Sequence, residues 1–265
     1  MDVANVQILK GAEIADDTIL WRYMNMTKLV DLLSTSQLAM PLASMMEDPY
    51  ERDVGLASAA QRWHDQKSRG APSYWLAADQ DMHLKTAARL RSATYITCWN
   101  ALDTESAAMW KIYGESGGIA IQTTWSGLRD SLVSEKHFYG GKVIYLDYNK
   151  DALPTTTHTD DYFYKRSSFS FEHEVRLISH APDCERFLSG KDEKIRWPKV
   201  DKINIDLGQL APSVYVAPQL PEWVRDAVQA LTLKFGHGWE INQSTLYTPR
   251  EPNYWPEALN ARGEN

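Results

Sequence analysis

The sequence predicts an α+β fold with a mixed, mostly antiparallel central sheet and a helical insertion or lid at residues 55–92. Short runs of β-branched and aromatic residues recur along the chain, and helical stretches separate them irregularly rather than after every strand. The 265 residues are 43% hydrophobic and 24% charged, a composition that suits a chain with a substantial core. We expect a single domain over residues 1–265, with its core at 18–250.

The N-terminal part of the chain is predicted to form a strand, a helix and a second strand. The run TILWRYM (18–24) is rich in strand-forming residues, and Asn25 or Thr27 can cap the helix that follows. The short run QLAMP (37–41) predicts a strand, and MMEDPYERD (45–53) predicts a polar turn. The apolar stripe of the helix is Leu29, Val30, Leu32 and Leu33.

The middle of the chain is predicted to alternate between helices and strands. The alanine-rich insertion at 55–92 is interrupted by SRGAPS and predicts two helices. A strand at 93–100 leads into a helix at 103–114, which Asp103 or Thr104 can cap. Further strands are predicted at 118–124 and 141–148, with a short helix around 125–133 between them.

The C-terminal part is predicted to contain short strands and one long helix. Pro221 lies near the start of that helix and Gly236 at its end, which are the positions these residues favour. The strands are predicted at 170–178, 202–207, 213–218 and 240–247, and the helix at 221–236.

The run SFEHEVRLI (170–178) places two glutamates within an apolar stretch. In a strand, Glu172, Glu174 and Arg176 share one face, with the two carboxylates roughly 7 Å apart along the strand. That face is either solvated, with a surface ion pair between Arg176 and Glu174, or a functional site. The opposite face, predicted to be buried, consists of Phe171, His173, Val175 and Leu177.

Two other strands carry residues that are unusual for their positions. Arg22 and Tyr23 interrupt an apolar strand, where an arginine either reaches solvent or holds an anion such as phosphate. Trp99 and Asn100 end a strand just before a helix, a common place for ligand contacts, although packing explains a tryptophan equally well. Cys98 could act as a nucleophile with a distant histidine, but a cysteine in an apolar strand is usually buried.

Composition and motif searches argue against several classes of function. The net charge of −7 opposes general electrostatic attraction to nucleic acid. The seven histidines and two cysteines show no metal-ligand spacing, and neither a phosphate-binding glycine loop nor a G-x-S-x-G elbow occurs. No signal segment and no stretch of about 18 apolar residues is present, so we expect a cytoplasmic protein without membrane association.

At the level of the whole chain, several separated motifs resemble the bacterial family catalogued as domain of unknown function 2971. The resemblance covers roughly residues 18–250. The motifs that carry it are LWRYM, KLVDLL, MEDPYE, TCWN, ESAAMWKIYG, GIAIQT, YKR, FEHEVRLI, VAPQLPEWV and INQSTLY.

The order of three motifs also resembles the ADP-ribosyltransferase superfamily, in which an Arg-bearing strand, a second polar or aromatic strand motif and a Glu-x-Glu motif line an NAD cleft. Arg22 matches the first motif, and Glu172 with Glu174 matches the third. The second motif would be TCWN, residues 97–100, which lacks the serine of a Ser-Thr-Ser motif and leaves the corresponding contacts in doubt.

This second resemblance implies an enzyme that consumes NAD as a substrate. It would transfer ADP-ribose to a protein or nucleic-acid acceptor. As an NAD glycohydrolase, it would transfer ADP-ribose to water instead. The resemblance also fits a role in toxicity or phage defence. Glu174 would stabilise the ribose cation and Glu172 would orient or deprotonate the acceptor. The residues that would bind NAD are Arg22, Tyr23, Thr97, Trp99, Asn100 and Tyr113.

The acidic turn after the second strand has no counterpart in that superfamily. It could bind the same ligand from the other side of the cleft, or cap the helix that follows. The candidate substrate-binding residues are therefore Glu47, Asp48, Tyr50 and Glu51 from the turn, with Tyr164, Lys165 and Arg176 from later in the chain.

Two other functions remain open from the sequence. The two glutamates, together with Asp48 and Glu51, could bind Mg²⁺ and cleave a phosphodiester, because hard oxygen ligands suit that ion. Alternatively, the chain is a non-catalytic module that binds a nucleotide or a partner without turnover.

Overall fold

The computed structural model describes residues 4–48, 50–52, 55–113, 118–154, 157–191, 194–210 and 212–249. The strands in these ranges are β1 (Asn5–Ile8), β2 (Ile19–Asn25), β3 (Gln37–Pro41), β4 (Thr94–Asn100), β5 (Gly118–Thr124), β6 (His137–Lys142), β7 (Ile144–Leu146), β8 (Tyr164–Arg166), β9 (Glu174–His180), β10 (Val200–Asn204), β11 (Ser213–Val216) and β12 (Ile241–Gln243). The α-helices are α1 (Met26–Thr35), α2 (Gly55–Ser68), α3 (Ser73–Arg91), α4 (Ala107–Tyr113), α5 (Trp125–Ser131), α6 (Cys184–Leu188), α7 (Leu207–Leu210) and α8 (Glu222–Lys234). Three 3₁₀ helices occupy Ala43–Met45, Asp160–Phe163 and Ser167–Glu172 in the same ranges.

A single large sheet organises the described part of the chain. Its eight strands follow the order β1-β6-β9-β4-β2-β5-β11-β12. The β1/β6 and β11/β12 pairs are parallel, and the other neighbouring pairs are antiparallel. This arrangement confirms the predicted mixed, mostly antiparallel sheet. Two smaller ladders pair β3 with β10 and β7 with β8.

The largest core cluster joins the sheet to the amphipathic helices α1, α5 and α8. Helix α1 begins after Asn25, whose side chain accepts a hydrogen bond from the backbone N–H of Lys28 at 3.0 Å and so satisfies one unpaired donor. The predicted stripe on α1 is correct except at Val30, which is 36% exposed. The buried members of the stripe are Leu29, Leu32 and Leu33.

The join between β2 and β4 is unusually short. Within the described residues these strands pair only through Trp21 and Asn100, whereas β4 pairs with β9 along its whole length. The backbone ladder between the two halves of the sheet is therefore reduced to a single residue pair. Smaller apolar clusters lie on either side of this join, one including Trp110 of α4 and the other including Tyr162.

The predicted strand at 170–178 is wrong in its first half. Residues Ser167–Glu172 form a 3₁₀ helix, and His173 adopts a left-handed conformation with φ of 42° before β9 begins at Glu174. Glu172 is therefore not on the strand face with Glu174, and Phe171 is 39% exposed rather than buried. A turn that depends on one left-handed residue leaves no periodic signal in the sequence.

Other element boundaries also differ from prediction. The predicted strand at 141–148 is divided between β6 and β7, and β1 was not predicted. The helix predicted at 103–114 begins at Ala107, because the backbone N–H of Ser106 donates to the hydroxyl of Tyr23 at 2.9 Å and the Ser106 hydroxyl accepts from Met109. Helices α6 and α7 span five and four residues, too few for a helical period to be recognised.

Helices α2 and α3 occupy the insertion predicted at 55–92. In the described part of the chain, no helix combines the length and the apolar character needed to cross a membrane.

Gly140 in β6 allows the sheet to pack closely against α5. A Cβ atom at this position would lie 2.6 Å from a ring carbon of Trp125, which is too close for a real contact. We expect Gly140→Ala to lower the free energy of unfolding by about 1–3 kcal/mol, measured by chemical denaturation. Gly238→Ala is the matched control, since a Cβ there meets nothing within 4 Å. Equal stability of the two variants would contradict this packing.

Candidate active site

A cavity of about 320 Å³ lies where β2 and β4 meet, and we call it the β2–β4 cleft. The three motif-bearing strands β9, β4 and β2 are consecutive neighbours in the sheet, so their side chains reach this cleft together. The predicted site residues that line it are Arg22, Tyr23, Glu47, Asp48, Glu51, Trp99, Asn100, Tyr113, Lys165, Glu172 and Glu174.

Four predicted site residues do not line the β2–β4 cleft. Thr97 is buried, at 2% exposure, and lies away from the cavity wall. Tyr50 lines a different, larger cavity, and Tyr164 lines a third one on the outer side of β8. Arg176 lies behind the wall of the cleft and is fully buried, so it cannot contact a ligand directly.

Five charged side chains form a buried charge cluster at the base of the cleft: Glu51, Lys165, Glu172, Glu174 and Arg176. Lys165 Nζ donates to carboxylate oxygens of both Glu172 and Glu174, the latter at 2.6 Å. Arg176 donates to Glu174 at 2.5 Å and, with both terminal nitrogens, to Glu51 at 2.6 and 3.1 Å. The predicted surface pair between Arg176 and Glu174 is therefore a fully buried one.

Backbone and hydroxyl groups hold the cluster in place. Arg176 also donates to the carbonyl of Tyr162 at 2.5 Å, and the backbone N–H of Glu174 donates to the hydroxyl of Tyr145 at 2.9 Å. Asn100 donates through Nδ2 to the carbonyl of Glu172 at 2.5 Å, which fixes the end of the 3₁₀ helix against β4. These contacts bring the carboxylate of Glu172, which lies outside β9, to Lys165, the same lysine that Glu174 contacts.

The surroundings shift the pKa values of the two glutamates in opposite directions. Burial alone would raise the pKa of Glu174, but Arg176 and Lys165 hold that pKa well below its usual range. Burial and the neighbouring Glu174 carboxylate raise the pKa of Glu172 to about 7, against the opposing effect of Lys165. Glu174 is therefore ionised at neutral pH, whereas Glu172 exchanges a proton there.

The overall charge of the buried charge cluster depends on Glu172. The cluster contains three carboxylates and two cations, so it is neutral when Glu172 is protonated and has one excess negative charge when Glu172 is ionised. Burial would lower the pKa of Lys165, but Glu174 and Glu172 raise it above its ordinary value, so the lysine stays charged.

The opposite side of the cleft is aromatic and contains one cation. The guanidinium of Arg22 lies 5.6 Å from the ring centroid of Trp99 and donates to the carbonyl of Ala39 at 3.0 Å. Burial lowers the pKa of Arg22 to about 10, which leaves it charged at neutral pH. Burial also raises the pKa of Tyr113 to about 12, so its hydroxyl stays protonated. This side can therefore offer a planar apolar surface and a positive charge to a ligand.

The acidic turn contributes to the cleft through residues that already have partners. Asp48 accepts from Arg166 at 2.8 Å and from the backbone N–H of Tyr50 at 2.9 Å. Glu51 is bound to Arg176, and Glu47 also lines the cavity. Whether the turn caps α2 lies outside the described residues, since 53–54 are not among them.

Some cleft residues were not identified as ligand-binding from the sequence. Trp21, Met109 and Phe169 line the cavity, and Cys98 lies there too, although we considered it only as a nucleophile. Burial and the carboxylate of Glu174 raise the pKa of the Cys98 thiol well above its usual range, so it is not a thiolate at neutral pH. The aromatic residues next to Arg22 were a usable signal, since strand alternation places Trp21 beside Tyr23 on one face.

Four carboxylates of the cleft are paired with cations. Among the described residues, no group of three or more His, Cys, Asp or Glu side chains could hold a metal ion. Each of the four carboxylates proposed as Mg²⁺ ligands instead accepts from lysine or arginine: Asp48, Glu51, Glu172 and Glu174. This arrangement gives the metal-dependent phosphodiesterase alternative no structural support.

Comparison with known protein families, with curated proteins and with solved structures found no match to this chain. The resemblances predicted from the sequence therefore stay predictions.

Arg176 is expected to determine the stability of the cleft. Arg176→Met removes the cation that neutralises Glu51 and Glu174, and leaving such charges buried costs about 3–5 kcal/mol of unfolding free energy. Chemical denaturation measures this loss, and the double variant Glu51→Gln/Arg176→Met should recover part of it. Arg225→Met removes an exposed arginine from α8 and should leave the denaturation midpoint unchanged. A stable single variant would contradict the role of Arg176.

Proposed function

We propose that the β2–β4 cleft binds NAD and cleaves the bond between nicotinamide and ribose, transferring ADP-ribose to a protein or nucleic-acid acceptor or to water. The observation that carries this proposal is the opposite shift of the pKa values of Glu172 and Glu174, which share Lys165 in a cleft with an aromatic wall. Two neighbouring carboxylates whose pKa values are pushed apart are the usual arrangement for dividing acid–base and electrostatic roles.

The fold gives this proposal further support. The strands that bear Arg22, Trp99 and Glu174 are consecutive neighbours in the sheet, so these three residues line one cavity. Near the join of β2 and β4, the sheet leaves a cavity of about 320 Å³. This volume is at the lower end of the range for small-molecule sites, roughly 300–1,000 Å³, and suits the nicotinamide riboside half of a dinucleotide.

Glu174 is assigned the role of stabilising the transition state. When the glycosidic bond breaks, its electron pair leaves with nicotinamide, and positive charge develops on the ribose. A carboxylate that is held ionised and fixed by Arg176 stabilises this charge without having to reorganise. The excess negative charge that the buried charge cluster has when Glu172 is ionised acts in the same direction.

Glu172 is assigned the role of general base that takes the proton of the acceptor. The acceptor nucleophile forms its new bond to the ribose carbon, and its proton passes to the Glu172 carboxylate. A pKa of about 7 suits a general base that works at neutral pH, because the group is then available both to take and to release the proton. Arg22 and Trp99 are assigned to binding, through the anionic and planar parts of the ligand.

The first prediction from this assignment concerns Glu174. Glu174→Gln removes the fixed negative charge and is expected to slow nicotinamide release from NAD by about 100-fold or more, measured by chromatography of the products. Glu185→Gln, at an exposed position on α6, is the matched control and should keep full activity. Thermal denaturation of both variants separates loss of chemistry from loss of folding.

Three results would distinguish the proposal from its alternatives. Nicotinamide release that is unchanged in Glu174→Gln would overturn the assignment of that residue. Binding of NAD by calorimetry without any release of nicotinamide by the wild-type protein would favour the non-catalytic module. Absence of both binding and turnover would overturn the proposal as a whole.

The second prediction concerns pH. The base form of Glu172 is required, and its pKa is raised to about 7, so the turnover rate should fall as the pH decreases through that value. In Glu172→Gln the rate should be lower and should lose this inflection. A wild-type rate that does not change between about pH 6 and 8 would contradict the role of Glu172 as base.

A further inference from the structure

A second cavity of about 930 Å³ lies beside the β2–β4 cleft, and the function proposed above does not use it. Its walls come from α2, α3 and the segments between β7 and the last 3₁₀ helix. Glu51 lines both cavities, so the two are neighbours across the acidic turn. The volume lies within the range of small-molecule sites, roughly 300–1,000 Å³.

The carboxylates that line the second cavity already have cationic partners. Glu51 accepts from Arg176 at 2.6 Å, and Asp161 lies 3.0 Å from Arg52. Asp147 lies 2.9 Å from Lys150, a partner outside the cavity wall. These acids therefore contribute little uncompensated negative charge to the cavity.

Two arginines of the cavity wall, Arg62 and Arg52, differ in their surroundings. Arg62 on α2 makes no hydrogen bond or ion pair with any described residue. Arg52 is 3% exposed, and its Nε has no acceptor among the described residues. A buried guanidinium N–H without an acceptor is costly, so the position of Arg52 is one that the fold maintains against this cost.

The backbone of Arg52 adopts an unfavourable conformation. Its φ of 62° lies in the left-handed region, which a residue with a long side chain adopts only under constraint. Arg52 is held there by Asp161, by a contact of 3.1 Å with His158 Nδ1, and by the ring of Tyr162, 5.6 Å from the guanidinium carbon. Strain of this kind concentrates at binding sites.

His83 on α3 lies in a positive part of the cavity wall. Burial lowers its pKa, and the charge of Arg62 lowers it further, while Asp79 and Asp161 oppose the effect. The balance favours the neutral imidazole.

We propose that the second cavity binds a small phosphorylated molecule, with Arg62 donating to its phosphate oxygens and the strained, buried Arg52 lying in the same wall. Arginine is suited to phosphate because its planar donors match the spacing of two oxygens. Ser167 and Ser168 add hydroxyl donors to the same wall. The proposal does not rest on NAD cleavage, because none of these residues belongs to the buried charge cluster.

Calorimetry on the full chain tests the proposal, with inorganic pyrophosphate and ribose 5-phosphate as probes and ribose as the control without phosphate. We expect both phosphorylated probes to bind and ribose not to bind. Arg62→Gln should weaken pyrophosphate binding by about tenfold or more, since a charge-assisted hydrogen bond is lost. Arg69→Gln removes the same charge from an exposed position just beyond α2 and should bind as the wild type does.

A second variant separates this cavity from the cleft. Arg22→Gln removes one of the cations that line the β2–β4 cleft and should weaken pyrophosphate binding less than Arg62→Gln does. Binding that is lost in Arg22→Gln but kept in Arg62→Gln would overturn the proposal and place the phosphate in the cleft. No pyrophosphate binding at millimolar concentration, or equal binding of ribose, would also overturn it.

Nuclear magnetic resonance provides an independent measurement. A bound phosphate places negative charge near His83, so its pKa should rise on addition of pyrophosphate. The charged and titratable groups around this imidazole are Arg62, Asp79, His158 and Asp161. A His83 titration that does not change while pyrophosphate binds would contradict its location in this cavity.

Discussion

The buried guanidinium of Arg176 is the constraint on which the site depends. A charge with no exposure to solvent must be matched by acceptors, and Arg176 is matched by Glu174, Glu51 and the carbonyl of Tyr162. These partners come from β9, from the turn after β3 and from a 3₁₀ helix, and Glu51 is 125 residues away in sequence. The turn and the strand therefore cannot be positioned independently of each other.

The same constraint explains why two similar glutamates differ in chemistry. Glu174 contacts both Arg176 and Lys165, so its negative charge is matched twice. Glu172 shares only Lys165 and lies close to a carboxylate that is already ionised. Protonation therefore occurs first on Glu172, and the proton can be exchanged without disturbing the arginine that holds the strand.

The sequence predicted the elements whose signals are local. Strand β5 was predicted with its observed bounds, 118–124, because β-branched residues fill it and a helix cap follows it. Helix α8 was predicted to within two residues at each end, because proline and glycine mark its ends. The residues Arg22, Trp99 and Glu174 line one cavity, while their roles stay predictions. Tertiary contacts decided the rest: no pattern near Glu51 identifies Arg176 as its partner, and the 3₁₀ helix that ends at Glu172 depends on one left-handed residue.

The short join between β2 and β4 has a mechanical consequence. Most neighbouring strands resist separation because many backbone hydrogen bonds would have to break together. Among the described residues, a single residue pair links the two halves of the sheet, and apolar side chains on both faces also hold them together. The other neighbouring strands of this sheet pair over three or more residues. Widening the cleft between β2 and β4 therefore breaks fewer backbone contacts than separating any other neighbouring strands of the described sheet.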